Sequence, residues 1–219
     1  MPMISLTAAD GHRLTAYRAG PQHAARALVV VQEIFGVNHH IRTVCDRFAA
    51  EGYAVIAPAL FDRIRPGIEL GYEAADVAQG RELRGKIEEG LTVLDVLAAA
   101  AALPRGAKRG IVGYCWGGTV SWHGATRTSA FGAASGWYGG GIAAAKDEQP
   151  RCPVQLHFGE ADASIPMTDV AAIKAAQPGI EVHVYGGGHG FGCDERGSYV
   201  EGDYRLAQKR TLEFFATHL

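Results

Sequence analysis

The stretch of residues 111–118 constrains the fold of this chain more than any other. Apolar residues lead into Gly113-x-Cys115-x-Gly117, and residues 119–128 behind it predict a helix. Glycine at both flanking positions is typical of a nucleophile elbow, a sharp turn from strand to helix that lifts the central side chain clear of the backbone. The central residue then has a positive φ, and bulk two positions away would collide with the turn. The sequence therefore predicts an exposed Cys115 thiol at a helix N-terminus, where the helix dipole favours the thiolate.

The elbow pattern also has an ordinary structural interpretation, because it is short and the chain contains 29 glycines. A tight loop around a buried cysteine fits the same five residues equally well. Only a base and an acid at suitable places downstream would favour the nucleophile.

The rest of the chain alternates between short apolar runs and segments with helical spacing. The runs predicted as strands are residues 27–32, 53–57, 108–112, 131–137, 154–158 and 181–185, after an N-terminal hairpin over residues 3–18. Such alternation predicts an α/β protein with a mainly parallel, doubly wound sheet and helices on both faces. No composition break divides the chain, so we expect one domain over residues 1–219.

Helical spacing also predicts which side chains face the core. In the helix after the first buried strand, Cys45 falls on the apolar face. In the helix over residues 87–102, the side chains expected to face inward are Leu91, Leu94, Val96 and Leu97. The C-terminal helix over residues 204–219 is expected to be amphipathic, with Leu206, Leu212, Phe215 and His218 at helical spacing.

Composition excludes several classes of partner. The formal net charge is −2 and like charges form no run, so neither nucleic acid nor an anionic membrane is expected to bind. The first twelve residues lack a signal-peptide pattern, and no apolar stretch reaches the roughly 18 residues of a membrane span. Four irregularly spaced cysteines indicate reduced thiols. We therefore expect a cytoplasmic protein that acts on a small molecule and needs no cofactor.

Three reactive side chains follow predicted strands, where function collects in parallel sheets. Cys115, Asp162 and His189 occur in the order nucleophile, acid, base, which is the order of α/β-hydrolases. Each has an alternative, since aspartates after strands often cap turns and the chain has nine histidines. Their joint placement nevertheless favours a Cys-His-Asp site.

Four segments together resemble the motifs of the dienelactone hydrolase family. They are residues 32–38 (QEIFGVN), residues 113–118 (GYCWGG), Gly159-x-x-Asp162, and residues 188–191 (GHGF). The resemblance implies an α/β-hydrolase fold with a cysteine nucleophile. It also implies a carboxylic ester or lactone hydrolase of the carboxymethylenebutenolidase type that acts through an acyl-enzyme. Separately from the resemblance, we expect a monomer or small homo-oligomer.

Chemical roles follow for the three reactive residues. Cys115 would attack the carbonyl carbon, His189 would transfer protons, and Asp162 would orient the imidazole and stabilise its charge. The oxyanion needs two backbone donors, for which the N–H groups of Trp116 and Ile34 are the candidates.

Further site residues follow from the resemblance. It implies that Glu33 interacts with the nucleophile and participates in its activation. Phe35 and Phe191 are candidate substrate contacts that could equally belong to the core, and Arg81 or Arg84 could supply a substrate-binding arginine. Family members hold an acidic lactone with arginines, one of them a few residues after the histidine. This chain has Cys193 in that stretch, so we expect no strong requirement for a substrate carboxylate. The alternative is that Arg196, three positions further on, takes the place of that arginine.

Two other functions fit the same residues. An acyl-enzyme does not dictate its acceptor, so thioester hydrolysis or acyl transfer is one alternative. A metal-binding protein that uses Cys115, His189 and Cys193 is the other, although Asp162 has no role in it.

Overall fold

A computed structural model describes residues 3–219. Met1 and Pro2, which belong to the twelve N-terminal residues considered above for a signal peptide, lie outside the described residues. The chain forms two compact units, Met1–Ile111 and Val112–Leu219. The expectation of a single domain stays a prediction.

Within its described residues, 3–111, the first unit contains four complete strands and three helices. These are β1 (Met3–Thr7), β2 (Arg13–Ala19), β3 (Arg26–Val31), α1 (His39–Ala50), β4 (Ala54–Pro58), α2 (Ala74–Gly85) and α3 (Glu89–Ala101), with a 3-10 helix at Leu60–Arg63. β1 and β2 pair antiparallel around the turn at Gly11, which confirms the predicted hairpin. β2 pairs antiparallel with β4, and β4 pairs parallel with β3.

Helix packing in this unit agrees with the sequence in α1 and departs from it in α3. Asn38 caps α1 by accepting a hydrogen bond from the Ile41 N–H at 3.2 Å, and Cys45 is fully buried as predicted. The inward face of α3 is made by smaller side chains, Val93, Val96, Ala99 and Ala100. The prediction that Leu91, Leu94 and Leu97 face inward was wrong, since all three stay partly exposed.

The second unit repeats the alternation of strand and helix. Its elements are α4 (Trp116–Arg127), β6 (Ala133–Trp137), β7 (Val154–Gly159), α5 (Met167–Ala176), β8 (Glu181–Tyr185) and α6 (Glu201–His218), with a 3-10 helix at Ala143–Ala145. β5 (Lys108–Tyr114) contains the division between the units. β6, β7 and β8 pair parallel, so the α/β class is confirmed.

α6 buries only part of the predicted face, since Phe215 is fully buried as predicted while Leu212 and His218 stay partly exposed. Leu206 is 44% exposed, whereas Ala207, Thr211, Phe214 and Phe215 are buried. Thr211 belongs to this face because its hydroxyl accepts a hydrogen bond from the Trp137 indole N–H at 3.2 Å. A polar residue in the buried face concealed the true periodicity from a pattern based on apolar residues alone.

Parallel pairing brings two predicted site loops to one edge. Gly159 at the end of β7 lies in register with Tyr185 at the end of β8, so the turn with Asp162 and the loop with His189 leave the sheet side by side.

Across residues 3–219 the helices are too short or too polar to cross a membrane.

Candidate active site

Cys115 occupies a turn of the predicted elbow geometry. It lies between β5 and α4 with φ 54° and ψ −117°, a left-handed conformation that is rare for a residue with a side chain. A Cβ on Gly113 would overlap the Gly117 carbonyl, so that position needs glycine. α4 begins at Trp116, earlier than predicted, which puts the thiol directly at the helix N-terminus. The Cys115 side chain is partly exposed rather than buried in a closed loop.

The His189 ring lies between the other two predicted side chains. Its Nδ1 is 2.7 Å from Asp162 Oδ2, and its Nε2 is 3.1 Å from Cys115 Sγ. Asp162 is 4% exposed, and its second carboxylate oxygen accepts a hydrogen bond from the Ser164 N–H at 2.8 Å. The carboxylate is therefore fixed by its own turn and can orient the imidazole.

The surroundings of His189 favour its protonated form. Burial of the ring lowers the pKa, but the hydrogen bonds to Asp162 and Cys115 and their negative charges outweigh burial and raise the pKa of His189 to about 10. The arrangement thus favours a proton on the imidazole, whose Nε2 lies beside the Cys115 sulfur.

Aromatic side chains pack against His189 and within the loop that carries it. Tyr138, which has a positive φ of 39°, packs against the imidazole with ring centroids 5.3 Å apart. Phe191 is fully buried and stacks on Trp137 at 5.7 Å. Phe191 therefore belongs to the core in this structure, and its predicted substrate contact stays a prediction. Its place just after the histidine in a glycine-rich loop was the only sequence signal, and it fits either role.

The remaining predicted residues lie in the first unit. Glu33 follows β3 and is fully buried, and Ile34 is 9% exposed. Phe35 meets Tyr72 edge to face at 4.7 Å. Arg81 lies exposed on α2. The preceding residue, Gly80, lies so close to the Ile34 carbonyl that a Cβ would overlap it, so α2 rests directly on the proposed oxyanion segment.

The alternative metal site requires three soft ligands to converge. Cys193 is buried, and its N–H donates to the Gly190 carbonyl at 3.0 Å. Within residues 3–219, however, the ligand atoms of Cys115, His189 and Cys193 do not all lie within 4.8 Å of one another. The His189 nitrogens instead face Asp162 and Cys115, as described above.

The backbone as a whole has close counterparts among solved structures. A crystal structure named "Putative Dienelactone Hydrolase" from Klebsiella pneumoniae matches it with a TM-score of 0.81 at 29% identity, and 99% of each chain is covered. This likeness and the elbow after β5 define the chain as a hydrolase with the α/β-hydrolase fold.

Sequence comparison narrows the assignment to one family. A profile of the dienelactone hydrolase family matches residues 14–219. A Synechocystis protein named "Putative carboxymethylenebutenolidase" is 35% identical over 212 residues, covering 88% of this chain and 86% of the relative. The Pseudomonas putida "Carboxymethylenebutenolidase" is 32% identical over 228 residues, covering 97% and 95%. The chain belongs to the dienelactone hydrolase family, and the resemblance seen in the four sequence motifs is confirmed.

Proposed function

We propose that this protein hydrolyses a carboxylic ester or lactone through an acyl-enzyme on Cys115. The observation that carries the proposal is the His189 ring, which lies within hydrogen-bond distance of Asp162 on one side and Cys115 on the other. The names of the relatives, carboxymethylenebutenolidase among them, support a lactone or related ester as the substrate class.

The reaction begins with the thiolate of Cys115. Its sulfur forms a bond to the carbonyl carbon while the carbonyl electron pair moves onto oxygen. The N–H of Trp116, at the first position of α4, is one proposed donor to that oxyanion, and the N–H of Ile34 is the other. When the tetrahedral intermediate collapses, the carbon–oxygen bond to the leaving group breaks, and the leaving oxygen takes the proton from His189 Nε2.

Deacylation reverses these proton movements. Neutral His189 accepts a proton from water as the water oxygen attacks the acyl carbon. The carbon–sulfur bond then breaks, which returns the thiolate beside a protonated imidazole and releases the acid. Asp162 keeps the imidazole in the tautomer that both half-reactions need.

We extend the proposal to the partners and the cellular location of the enzyme. We propose a small-molecule substrate, with no nucleic acid or membrane partner, and a cytoplasmic location in which Cys45, Cys115 and Cys152 remain free thiols. Glu33 is kept as a proposed participant in thiol activation, on the strength of its place in the QEIFGVN motif.

A substrate panel with an acyl-trapping readout tests this function. Aryl esters, lactones and thioesters are incubated with the enzyme, which is then quenched in acid and analysed by intact and peptide mass spectrometry. We expect ester or lactone turnover and an acyl adduct on the Cys115 peptide. Cys115→Ala should abolish both and Cys115→Ser should nearly do so, because a hydroxyl is a poorer nucleophile at this site.

Cys152→Ala is the matched control, because Cys152 is a partly buried thiol in the same unit outside the site. This variant should keep wild-type rates and the Cys115 adduct. Turnover that survives in Cys115→Ala, or an adduct that forms on another residue, would refute the assigned nucleophile.

A further inference from the structure

The loop that carries His189 is bonded on two opposite sides. The carbonyl of Gly187 accepts a hydrogen bond from the Ala161 N–H at 3.2 Å, which joins the loop to the turn that holds Asp162. The N–H of Gly187 donates to Asp203 Oδ2 at 2.8 Å, which joins the loop to α6. The position of His189 thus depends on both neighbours.

Close packing at Gly187 leaves the loop little room to shift. A Cβ on Gly187 would lie 2.7 Å from Phe191 Cβ, 3.2 Å from Asp203 Oδ2 and 3.2 Å from Val200 Cγ2. On the other side, a Cβ on Gly159 would overlap the Gly187 carbonyl. Glycines here let two backbone segments and the first turn of α6 meet without an intervening side chain.

Asp203 has an unusual partner for its place in the helix. It is the third residue of α6, where an acidic side chain commonly reaches back to cap its own helix. Its oxygen instead accepts the bond from a loop 16 residues earlier in the chain. A carboxylate in the first turn also interacts favourably with the helix dipole, so any test must separate that effect from the loop contact.

We propose that Asp203 is a positioning residue, which holds the Gly186–Gly190 loop so that the His189 imidazole reaches Asp162 and Cys115 together. This inference rests on the proposed function only in treating His189 as the proton carrier. Asp203 touches neither the imidazole nor the thiol, and acts through the Gly187 N–H. The effect of Asp203 is therefore one of geometry, and it requires an oxygen acceptor at the right distance more than a negative charge.

Four variants separate geometry from charge. Asp203→Asn keeps an oxygen at the same distance without the charge, and Asp203→Glu keeps the charge but moves the oxygen by one methylene. Asp203→Ala removes both. Glu201→Ala is the matched control, because it removes another first-turn carboxylate of α6 that is exposed and pairs with Arg205.

Two readouts are measured on each variant: steady-state kinetics on the best ester or lactone, and the titration midpoint of the His189 imidazole by NMR. We expect Asp203→Ala to lower kcat by about 10- to 100-fold with little change in KM, since a shift of about 1 Å at a reacting group can cost that much. Its His189 midpoint should fall from about 10, because the bonds to Asp162 and Cys115 loosen. Asp203→Glu should lose part of the activity. Asp203→Asn and Glu201→Ala should stay near wild type.

The ranking of the variants by kcat and by the His189 titration midpoint tests the positioning role of Asp203. Wild-type kcat and an unshifted His189 midpoint in Asp203→Ala would overturn the proposal. A loss in Asp203→Asn as large as in Asp203→Ala, or an equal loss in Glu201→Ala, would show that charge at the helix N-terminus is responsible, and would overturn it too. If Asp203→Ala does not fold, the comparison of Asp203→Glu with Asp203→Asn answers the same question. An enzyme with no ester or lactone turnover would refute the proposed function alone, because the NMR midpoint still reports the position of His189.

Discussion

Removal of the Cys115 side chain should lower the pKa of His189, because its hydrogen bond and charge raise that pKa. The Nε2 and Sγ atoms lie 3.1 Å apart, and unit charges at that distance attract by about 5 kcal/mol at an effective dielectric constant of about 20. The His189 side chain is 22% exposed, so water screens part of this attraction. The Asp162 hydrogen bond remains in Cys115→Ala. We therefore expect the pKa to fall by about 1 to 2 units, at about 1.4 kcal/mol per unit.

The raised pKa of His189 also makes the stability of the folded protein depend on pH. Because the pKa of His189 in the folded protein, about 10, lies above the ordinary 6.5, the folded state binds this proton more tightly than the unfolded chain does. The resulting stabilisation is fully present below pH 6.5 and is lost as the pH rises through about 10. In Cys115→Ala the stabilisation should be smaller and should be lost at lower pH.

The assay is an NMR titration of the histidine side chains with ¹⁵N labelling, accompanied by thermal unfolding over the same pH range. The chain has nine histidines, so the His189 signal is assigned by its disappearance in His189→Gln. Cys152→Ala, which removes a thiol outside the site, should leave the midpoint where it is in wild type. A His189 midpoint that does not move in Cys115→Ala would refute the contribution of Cys115 to the raised pKa of His189.

Three further substitutions test separate parts of the site. Gly113→Ala places a Cβ against the Gly117 carbonyl and should cost about 1 to 3 kcal/mol in the free energy of unfolding measured with denaturant, whereas an unchanged midpoint would mean that the elbow relaxes without strain. Asp162→Asn should lower kcat by about 10³- to 10⁴-fold by favouring the wrong imidazole tautomer, as judged by steady-state kinetics, and a loss below tenfold would contradict an orienting role. Glu33→Gln should alter turnover and the pH dependence of thiol alkylation by iodoacetamide; if both match wild type, Glu33 has no part in activation.

The sequence alone determined the features that depend on local pattern. Alternating apolar runs identified the strands, and the glycines around Cys115 predicted the positive φ that the elbow adopts. The placement of Cys115, Asp162 and His189 just beyond strand ends was also predicted from the sequence. Local sterics and hydrophobic periodicity act over a few residues, so they can be recognised in a linear pattern.

Tertiary structure alone decided how those elements meet. Nothing in the spacing showed that Leu206 would be exposed while Thr211 is buried, because the Trp137 indole that bonds Thr211 lies 74 residues earlier in the chain. Nor did any pattern connect Asp203 with Gly187, since a loop has no period from which its path can be read. The segments that pack against a helix determine which of its faces is buried, and the groups that bond to a loop determine its position. Those partners are distant in sequence and become neighbours only when the chain has folded.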